Sequence, residues 1–306
     1  MKILITGGTG FIGRSLSLAL LADSHAITIL SRYPNKVESI FGGKIQQLSS
    51  LSHLSDHDHF DAIFNFTGAP IFADRWTEER KKVLINSRIN TTKSIVEFIE
   101  RAKTKPSVLL SGSAVGFYGD QGDTELFESM TVNEPEDFGH ELCAAWEKTA
   151  EQAKEHGVRV CLLRTGLVLG KDGGFLKPML LPFKLGLGGK IGSGKQWMSW
   201  IHMDDYVAIC KMLLENDTLE GVFNMTAPSP VTNSDFTKTL ATLLKRPAFL
   251  STPAWALQFI LGEMSQLLLG SQRVIPKHIL DSGYHFNYQE LEPALAEALQ
   301  KNVTKF

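Results

Sequence analysis

The sequence lacks the features that mark several classes of protein. Its 306 residues include three cysteines, Cys143, Cys161 and Cys210, whose odd number and wide spacing exclude a disulfide framework or a cysteine metal site. No apolar run reaches the length of a membrane-spanning helix, and no block of like charge occurs. The net charge is -2, which offers little attraction to nucleic acid or an anionic membrane. We therefore expect a cytoplasmic protein with no nucleic-acid partner, no membrane partner and no bound metal.

The rest of the composition is that of an ordinary globular protein, with 43% hydrophobic and 21% charged residues. Strand and helix patterns alternate as far as about residue 170, which predicts an α/β fold built on a doubly wound parallel sheet. Beyond that point the chain becomes rich in glycine, and its last sixty residues have a mainly helical pattern. We expect an α/β core at 1–170, a substrate-side region at 171–246 and a small helical C-terminal domain at 247–306.

The chain opens with a strand, a cluster of glycines and a helix. An apolar run predicts a buried strand at 2–6, and four of the next seven residues are glycines. Gly7 or Gly8 permits a sharp turn. Gly10 leaves room for a pyrophosphate, and Gly13 lets the helix pack closely on the strand. The N–H groups and the positive dipole at the helix N-terminus favour an anion. We predict that a dinucleotide is bound here by Gly7, Gly10, Phe11, Ile12 and Gly13.

The end of the second strand distinguishes between two nicotinamide cofactors. The pattern places this strand at 26–30, and Ser31 and Arg32 follow it. In proteins that bind NAD, an acidic residue near this position commonly holds the ribose 2′-hydroxyl. Arg32 stands there instead, and its guanidinium suits a 2′-phosphate that a carboxylate would repel. We therefore predict that the cofactor is NADP(H) and that Ser31 and Arg32 contact it.

Two later strands are expected to reach the same crevice. Small residues follow the strand predicted at 61–66, and they permit backbone contact with a cofactor. An arginine ahead of the next helix could meet a phosphate or lie on a solvated face. Another contact is expected from the segment that leaves the strand at 158–163. These positions add to the predicted cofactor site Thr67, Gly68, Ala69, Arg75 and Val168.

Four motifs occur in the first part of the chain. They are Thr6-Gly-Gly-Thr-Gly-Phe-Ile-Gly13, Asn65-x-Thr-Gly68, Ser113 before Tyr118-Gly119, and Leu163-Arg164-Thr-Gly166. With them the chain resembles the extended short-chain dehydrogenase/reductase family. More narrowly, with Arg75-Trp76, Ser87-Arg88 and the segments 186–197 and 200–202, it resembles an epimerase-like subfamily, nucleoside-diphosphate-sugar epimerase-like, that has a small C-terminal domain of unknown function. The resemblance implies a Rossmann fold, NADP(H), and an unidentified small substrate such as a sugar nucleotide or a carbonyl compound.

The resemblance fails at the residues that transfer a proton in the wider family. That family uses a Tyr-x-x-x-Lys pair, in which the lysine ammonium lowers a tyrosine pKa that is otherwise about 10. None of the five tyrosines here has a lysine four residues further on. If Glu147 matches the family's downstream glutamate, the two positions are occupied by Gly139 and Cys143. The standard proton relay is therefore absent.

Other side chains could take the missing role. By the resemblance, Ser113 would hydrogen-bond a substrate carbonyl or hydroxyl. Tyr118, five residues further on in the loop after the strand, could donate a proton. Trp200 and His202 follow a glycine-rich segment, 170–194, which we expect to be a mobile loop beside a substrate pocket. We expect both residues to contact the substrate. We interpret the chain as an NADP-dependent, epimerase-like oxidoreductase, or alternatively as an NADP(H)-binding regulatory or interaction protein without turnover. In either case the protein could form a homodimer.

Overall fold

A computed structural model describes residues 1–130, 137–171 and 173–300, which form an α/β fold. Strands of the central sheet have three to seven residues, and the other strands have two or three. The strands are β1 (Lys2–Thr6), β2 (Ala26–Leu30), β3 (Gln46–Leu48), β4 (Ala62–Asn65), β5 (Val108–Ala114), β6 (Glu125–Leu126), β7 (Arg159–Thr165), β8 (Leu167–Leu169), β9 (Gly189–Ile191), β10 (Trp197–Met198), β11 (Trp200–His202), β12 (Gly221–Met225), β13 (Val231–Thr232), β14 (Leu250–Thr252) and β15 (Arg273–Val274).

The helices alternate with the strands through the first two thirds of the chain. They are α1 (Phe11–Ala22), α2 (Pro34–Phe41), α3 (Glu78–Arg101), α4 (Phe138–Glu151), α5 (Leu176–Lys184), α6 (Met203–Glu215), α7 (Asn233–Leu244), α8 (Ala254–Leu261), α9 (Gln266–Leu269), α10 (Lys277–Asp281) and α11 (Leu291–Ala298). Within the described ranges, no helix combines the length and the hydropathy needed to cross a membrane.

Seven parallel strands form the central sheet in the order β3-β2-β1-β4-β5-β7-β12. The chain runs outward from β1 to β3 and then returns to the other side of β1 with β4. In a sheet of this kind, ligands bind beyond the carboxyl ends of the strands where the order reverses. The predicted doubly wound fold is confirmed, and β1 lies at the point of reversal.

The apolar run of β1 is explained by helices on both faces of the sheet. Ile3 and Ile5 enter a core layer formed with α1 and α6, whereas Leu4 enters the opposite layer, formed with α3. Successive residues of a strand point to opposite faces, so a strand that is covered on both sides needs no polar alternation. The unbroken apolar pattern therefore marks the centre of the sheet.

The segment expected to be a mobile loop contains regular structure, which corrects that expectation. Within 170–194 the structure has α5 and β9, and β9 pairs with β14 from the C-terminal region. The glycines flank α5 and do not interrupt it, and Leu176 and Phe183 bury its inner face in a core shared with α7 and α11. The C-terminal region is thus joined to the middle of the chain by a strand pair.

The three cysteines are free and buried. Burial raises the pKa of the Cys143 and Cys161 thiols to about 11, and it raises the pKa of Cys210 further. Buried thiols in apolar surroundings remain protonated near neutral pH and react slowly. The three thiols therefore belong to the core of the protein.

Candidate functional site

The loop after β1 makes a tight turn in which the backbone segments approach closely. Gly7 has a φ of +69°, and its carbonyl accepts a hydrogen bond from the N–H of Gly10 at 2.9 Å. A side chain at Gly7 would collide with the carbonyl of Phe66, and one at Gly13 would overlap the carbonyl of Gly7. Glycine is required at both positions, as the fingerprint predicted.

The N-terminus of α1 is open at this loop. Gly10 is the residue before the first turn, no side chain caps the helix, and the first turn has no acidic residue. A Cβ on Gly10 would meet the Gly7 carbonyl oxygen at 3.1 Å and nothing else nearby. The N–H groups of Phe11, Ile12 and Gly13 have no acceptors within the helix. These residues fit the pyrophosphate of a dinucleotide, because uncapped amides and the helix dipole both favour an anion.

The Phe11 ring is enclosed by a distant group of glycines. A Cβ at Gly173 or Gly174 would overlap the ring, and a Cβ at Gly170 would lie 3.0 Å from it. Gly174 also lies against the carbonyl of Val168. Val168 is buried. The predicted cofactor residues Phe11 and Val168 are therefore brought to the same place, at the start of α1.

Ser31 and Arg32 lie just beyond the carboxyl end of β2. The Ser31 hydroxyl accepts a hydrogen bond from the N–H of Tyr33 at 3.1 Å, which shapes the turn. Arg32 is exposed, and its guanidinium lies 5.8 Å from the centre of the Tyr33 ring. It forms no ion pair with any described residue. Since β2 pairs with β1, this guanidinium shares the edge of the glycine loop and suits a phosphate group.

The three predicted residues after β4, 67–69, leave the sheet beside the glycine loop because β4 pairs with the other side of β1. Helix α3 holds this segment in place. The N–H of Ala69 donates to Ser87 Oγ at 2.9 Å, and the Ala69 carbonyl accepts from Arg88 at 3.3 Å. The Arg88 guanidinium also fills the space that a side chain at Gly68 would need. The segment is thus fixed at the edge where a cofactor is expected.

A buried chain of hydrogen bonds behind these loops links three strands to two helices. Thr6 donates to Asn65 Oδ1 at 2.8 Å, and the Asn65 amide donates to Thr92 at 2.8 Å and to Ser111 at 3.2 Å. The indole N–H of Trp146 donates to Thr92 at 2.9 Å. All five side chains are buried. The network keeps β1, β4 and β5 in register with α3 and α4, and no local sequence pattern predicts it.

Ser113 lies at the end of β5 in a buried charged cluster. Its hydroxyl donates to Oε1 of Glu147 at 2.6 Å. Arg164 donates to the same carboxylate twice, from Nε to Oε1 at 2.9 Å and from Nη2 to Oε2 at 2.8 Å. The three residues are at most 6% exposed, and the centre of the Phe117 ring lies 3.4 Å from the Arg164 guanidinium. The bidentate ion pair fixes Glu147, which in turn orients the Ser113 hydroxyl.

Glu147 and Arg164 were not predicted to take part in the site, although the sequence contains a signal for their pairing. Glu147 lies on the face of α4 that Leu142 and Cys143 bury, and Arg164 ends an apolar strand. A buried charge needs a partner, so an acidic and a basic residue in such places are expected to form an ion pair. The missing information was the pairing of β5 with β7, which sets Ser113 opposite Arg164.

The two positions of the missing dyad, Gly139 and Cys143, provide no acid or base that acts near neutral pH. Burial raises the pKa of the Cys143 thiol to about 11, so the thiol stays protonated. Arg88 reaches this part of α4 from α3, with its guanidinium 5.3 Å from the centre of the Trp146 ring. A positive charge therefore remains beside the position of the lost lysine, although it comes from another helix.

Tyr118 is turned into the protein interior. Its side chain is fully buried, and its hydroxyl donates to Oδ1 of Asn224 at 2.7 Å. Burial raises the pKa of this hydroxyl, and the ring packs against Leu126 and Val274. A hydroxyl in this setting is poorly suited to protonate a substrate. The geometry thus gives no support to the predicted catalytic role of Tyr118.

Trp200 and His202 also have packing roles. Trp200 is fully buried, and its indole N–H donates to the carbonyl of Ser229 at 3.0 Å. His202 is 1% exposed; its Nδ1 accepts from the N–H of Asp204 at 3.2 Å, and its Nε2 lies 2.8 Å from Glu297. His202 therefore caps α6 and anchors α11. Both side chains make these hydrogen bonds within the protein, and their predicted contact with substrate stays a prediction.

Arg75 lies ahead of α3 and is exposed. Its guanidinium lies beside Gly262, where an added Cβ would be 3.2 Å from Nη2. The contact places Arg75 against the C-terminal region of the chain. Its predicted contact with a cofactor phosphate stays a prediction.

Comparison with known proteins places the chain among epimerase-like sequences. Residues 3–225 match the NAD dependent epimerase/dehydratase family, and residues 252–298 match a domain of unknown function, DUF1731. The epimerase family protein YfhF of Bacillus subtilis is 38% identical over 305 residues, which cover 99% of this chain and 100% of YfhF. These matches confirm the family resemblance drawn from the motifs.

Two solved structures are similar along nearly the whole chain. The human epimerase family protein SDR39U1, solved with NADPH, has a TM-score of 0.88 and 35% identity, and the match covers 97% of this chain and 99% of that one. The nucleoside-diphosphate sugar epimerase of Corynebacterium glutamicum has a TM-score of 0.77 and 30% identity, covering 98% of this chain and 58% of that one. The cofactor prediction agrees with the NADPH in the human protein.

Proposed function

Because this chain belongs to the NAD dependent epimerase/dehydratase family, we propose that it is an NADP(H)-dependent oxidoreductase with an altered proton relay. Its substrate would be a small molecule with a hydroxyl or carbonyl group, such as a sugar nucleotide or a carbonyl compound. One observation carries the proposal: the Ser113 hydroxyl at the end of β5 is oriented by a buried carboxylate, in a chain that lacks the family's tyrosine and lysine.

The choice of NADP(H) rests on the first two strands. The open N-terminus of α1 would hold the pyrophosphate, and the exposed Arg32 guanidinium would hold the 2′-phosphate. The NADPH bound to the human relative supports the same choice. When bound, the nicotinamide supplies the hydride acceptor or donor, and the protein supplies the proton path and the orientation.

The proton path would run through Ser113 to Glu147. Because the Ser113 hydroxyl donates to Glu147, the free lone pairs of Ser113 Oγ can accept a hydrogen bond from a substrate hydroxyl. As that substrate loses hydride from carbon, its hydroxyl proton would pass to Ser113 Oγ, and the Ser113 proton would pass to Glu147 Oε1. Reduction of a carbonyl would follow the reverse path. Arg164 holds the carboxylate in line through two hydrogen bonds.

The test is a search for turnover followed by substitution of the relay. NADPH absorbance would be followed with a panel of nucleotide sugars, aldehydes, ketones and quinones. With a substrate in hand, we expect Ser113→Ala to lower kcat by a factor of about 10² to 10⁴, the usual contribution of positioned proton transfer. Ser107→Ala, an exposed residue just before β5, is the matched control and should keep full turnover. Full turnover by Ser113→Ala would rule out the proposed proton path.

A second function has one observation in its favour. Gly139 and Cys143 stand where the family has its acid–base pair, and the Cys143 thiol, with a pKa of about 11, is protonated at neutral pH. A protein that binds NADP(H) and regulates or interacts without turnover could carry such residues. Bound NADPH with no oxidation or reduction of any compound in the panel would favour this function over the enzyme.

A further inference from the structure

Large exposed apolar side chains are concentrated in two segments of this protein. Among the described residues, seven of the eight that are at least 60% exposed lie within 181–187 and 249–260. Phe249, Trp255 and Phe259 are 80%, 71% and 81% exposed. Scattered exposed apolar residues are normal, whereas a concentration of this kind marks a surface that contacts something other than water.

The fold joins the two segments into one surface. β9 follows α5 along the chain and pairs with β14, with Gly189 opposite Leu250. A side chain at Gly186 would contact Pro247, so the end of α5 also lies beside the residues that lead into β14. Helix α8 begins two residues after β14. We call this surface the apolar ridge, which comprises Leu181, Leu185, Leu187, Phe249, Trp255 and Phe259.

Helix α8 presents the most prominent part of the apolar ridge. Its eight residues, Ala-Trp-Ala-Leu-Gln-Phe-Ile-Leu, include no charge, and none of them is buried. Trp255 and Phe259 are four residues apart and therefore lie on one side of the helix. A helix with this composition gains stability when its apolar side chains leave water.

The two stretches of chain that include the apolar ridge carry cations and no acidic residue. The segments 173–203 and 236–262 contain seven lysines and arginines and no aspartate or glutamate, although the whole chain has a net charge of -2. All seven are exposed. A cleft of about 460 Å³ beside Phe249 is lined by the cations Lys190, Lys238, Lys245 and Arg246.

This pattern of charge decides which partner fits. A symmetric dimer through the apolar ridge would place the same cations of two copies against each other, which is unfavourable. An anionic bilayer offers phosphates to the cations and an apolar boundary to the aromatic side chains. We propose that the apolar ridge docks this protein on the surface of an anionic phospholipid membrane.

The proposal runs against the expectation of no membrane partner. That expectation rested on the average charge of the chain and on the absence of a long apolar run. The fold collects cations and aromatic residues that are distant in sequence, which neither measure detects. Docking at the interface needs no helix that crosses the bilayer.

The first test is sedimentation of the full chain with vesicles. We expect binding to vesicles of phosphatidylcholine and phosphatidylglycerol in equal parts, weakening as salt is added, and little binding to phosphatidylcholine alone. The double variant Trp255→Ser, Phe259→Ser should bind at least about tenfold more weakly, because two large apolar side chains no longer leave water. Lys245→Glu with Arg246→Glu should lose a similar factor.

Matched controls remove an apolar residue and a cation elsewhere on the surface. Val83→Ser on α3 and Lys148→Glu on α4 are exposed and should bind vesicles as the wild type does. Urea unfolding of each variant checks that it folds, which is expected because α8 has no buried residue. Equal loss of binding in the controls would overturn the proposal, as would no binding of the wild type to mixed vesicles.

A second test uses the single strongly exposed tryptophan. Trp76, Trp146 and Trp200 are buried and Trp197 is partly buried, whereas Trp255 is 71% exposed. Mixed vesicles should therefore shift the fluorescence of the protein to shorter wavelength, and Trp255→Phe should abolish the shift while binding persists. A wild-type dimer that Trp255→Ser, Phe259→Ser converts to a monomer, with no fluorescence shift on vesicles, would instead assign the apolar ridge to self-association and overturn membrane docking.

Discussion

The loop after β1 and the end of β5 lie at the same edge of one sheet, separated by a single strand, yet they are built from different groups. At the loop, the groups proposed to hold a ligand are backbone amides at the start of α1, and glycines give access to them. At the end of β5, the proposed site is a cluster of side chains, Ser113, Glu147 and Arg164, which come from three separate elements.

This difference explains which changes each region tolerates. A site made from backbone depends on a local run of residues, so its whole specification lies within a few positions of the chain. A site made from side chains depends on packing between distant elements, so its members can be exchanged as long as the geometry survives. The family's tyrosine and lysine are absent here, while the glycine fingerprint is complete.

The largest effect should come from breaking the buried ion pair at the end of β5. We expect Glu147→Leu to lower the free energy of unfolding by about 3–5 kcal/mol, because it leaves the Arg164 charge buried without a partner. Urea unfolding followed by fluorescence would measure it. The double variant Glu147→Leu, Arg164→Leu should recover most of the loss, since it removes both charges. A double variant no more stable than the single one would contradict this account.

The next largest effect should come from reversing the charge at the end of β2. We expect Arg32→Glu to weaken NADPH binding by about 10- to 100-fold, which corresponds to one or two lost charge-assisted hydrogen bonds. Binding of NADH should change little, because NADH lacks the 2′-phosphate. Calorimetry with both cofactors gives the ratio, and Lys36→Glu, an exposed cation on α2, is the control. Tighter binding of NADH than of NADPH by the wild type would contradict the assignment.

Two glycines of the same loop should separate stability from binding. An added Cβ at Gly13 overlaps the Gly7 carbonyl, so Gly13→Ala should destabilise the protein by about 1–3 kcal/mol. A Cβ at Gly10 would lie 3.1 Å from the Gly7 carbonyl oxygen, which is a tight contact and not an overlap, so Gly10→Ala should destabilise the protein less than Gly13→Ala and yet bind NADPH more weakly. Urea unfolding and calorimetry on both variants would sharpen the comparison, and equal stability losses would weaken it.

The smallest effect concerns His202 and Glu297, which belong to neither region. Burial raises the pKa of the Glu297 carboxyl, but hydrogen bonds from Lys171 and His202 outweigh burial and hold that pKa below its ordinary value. The resulting stability is present above the ordinary glutamate pKa of about 4.3 and is lost as the pH falls through the folded pKa. Glu297→Gln should therefore cost less than about 1 kcal/mol near pH 7, and the difference from wild type should shrink near pH 3. Unfolding in urea at both pH values measures it.

Much of the fold could be predicted because its signals are local. The bounds of β1 and β2 were predicted correctly as 2–6 and 26–30, since apolar runs ending at glycines or polar residues define them. The apolar run at 108–110 predicts a strand that ends at Leu110, whereas β5 continues four residues further, through Ala114. Those residues are small or polar and resemble a loop, but they pair with β7 as far as Ala114 opposite Thr165. Such pairing is a tertiary contact that local patterns do not contain.

The candidate site divides in the same way. Gly7, Gly10 and Gly13 could be predicted because backbone geometry leaves a glycine signature in the sequence. Tyr118 and His202 have side chains with suitable chemistry, but the fold uses them for packing and hydrogen bonding inside the core. Residue type alone does not specify the direction of a side chain, which depends on elements that pack against it from elsewhere in the chain.

The three buried thiols make it possible to measure local opening of the native protein. With Cys143 on α4, Cys161 on β7 and Cys210 on α6, each main layer of the molecule contains a group that alkylating reagents reach only after it opens. Timed labelling of the native protein, read by mass spectrometry, would therefore report local opening at three depths without any added probe. Slower labelling of Cys143 in the presence of NADPH would reveal whether cofactor binding tightens the helix behind Ser113.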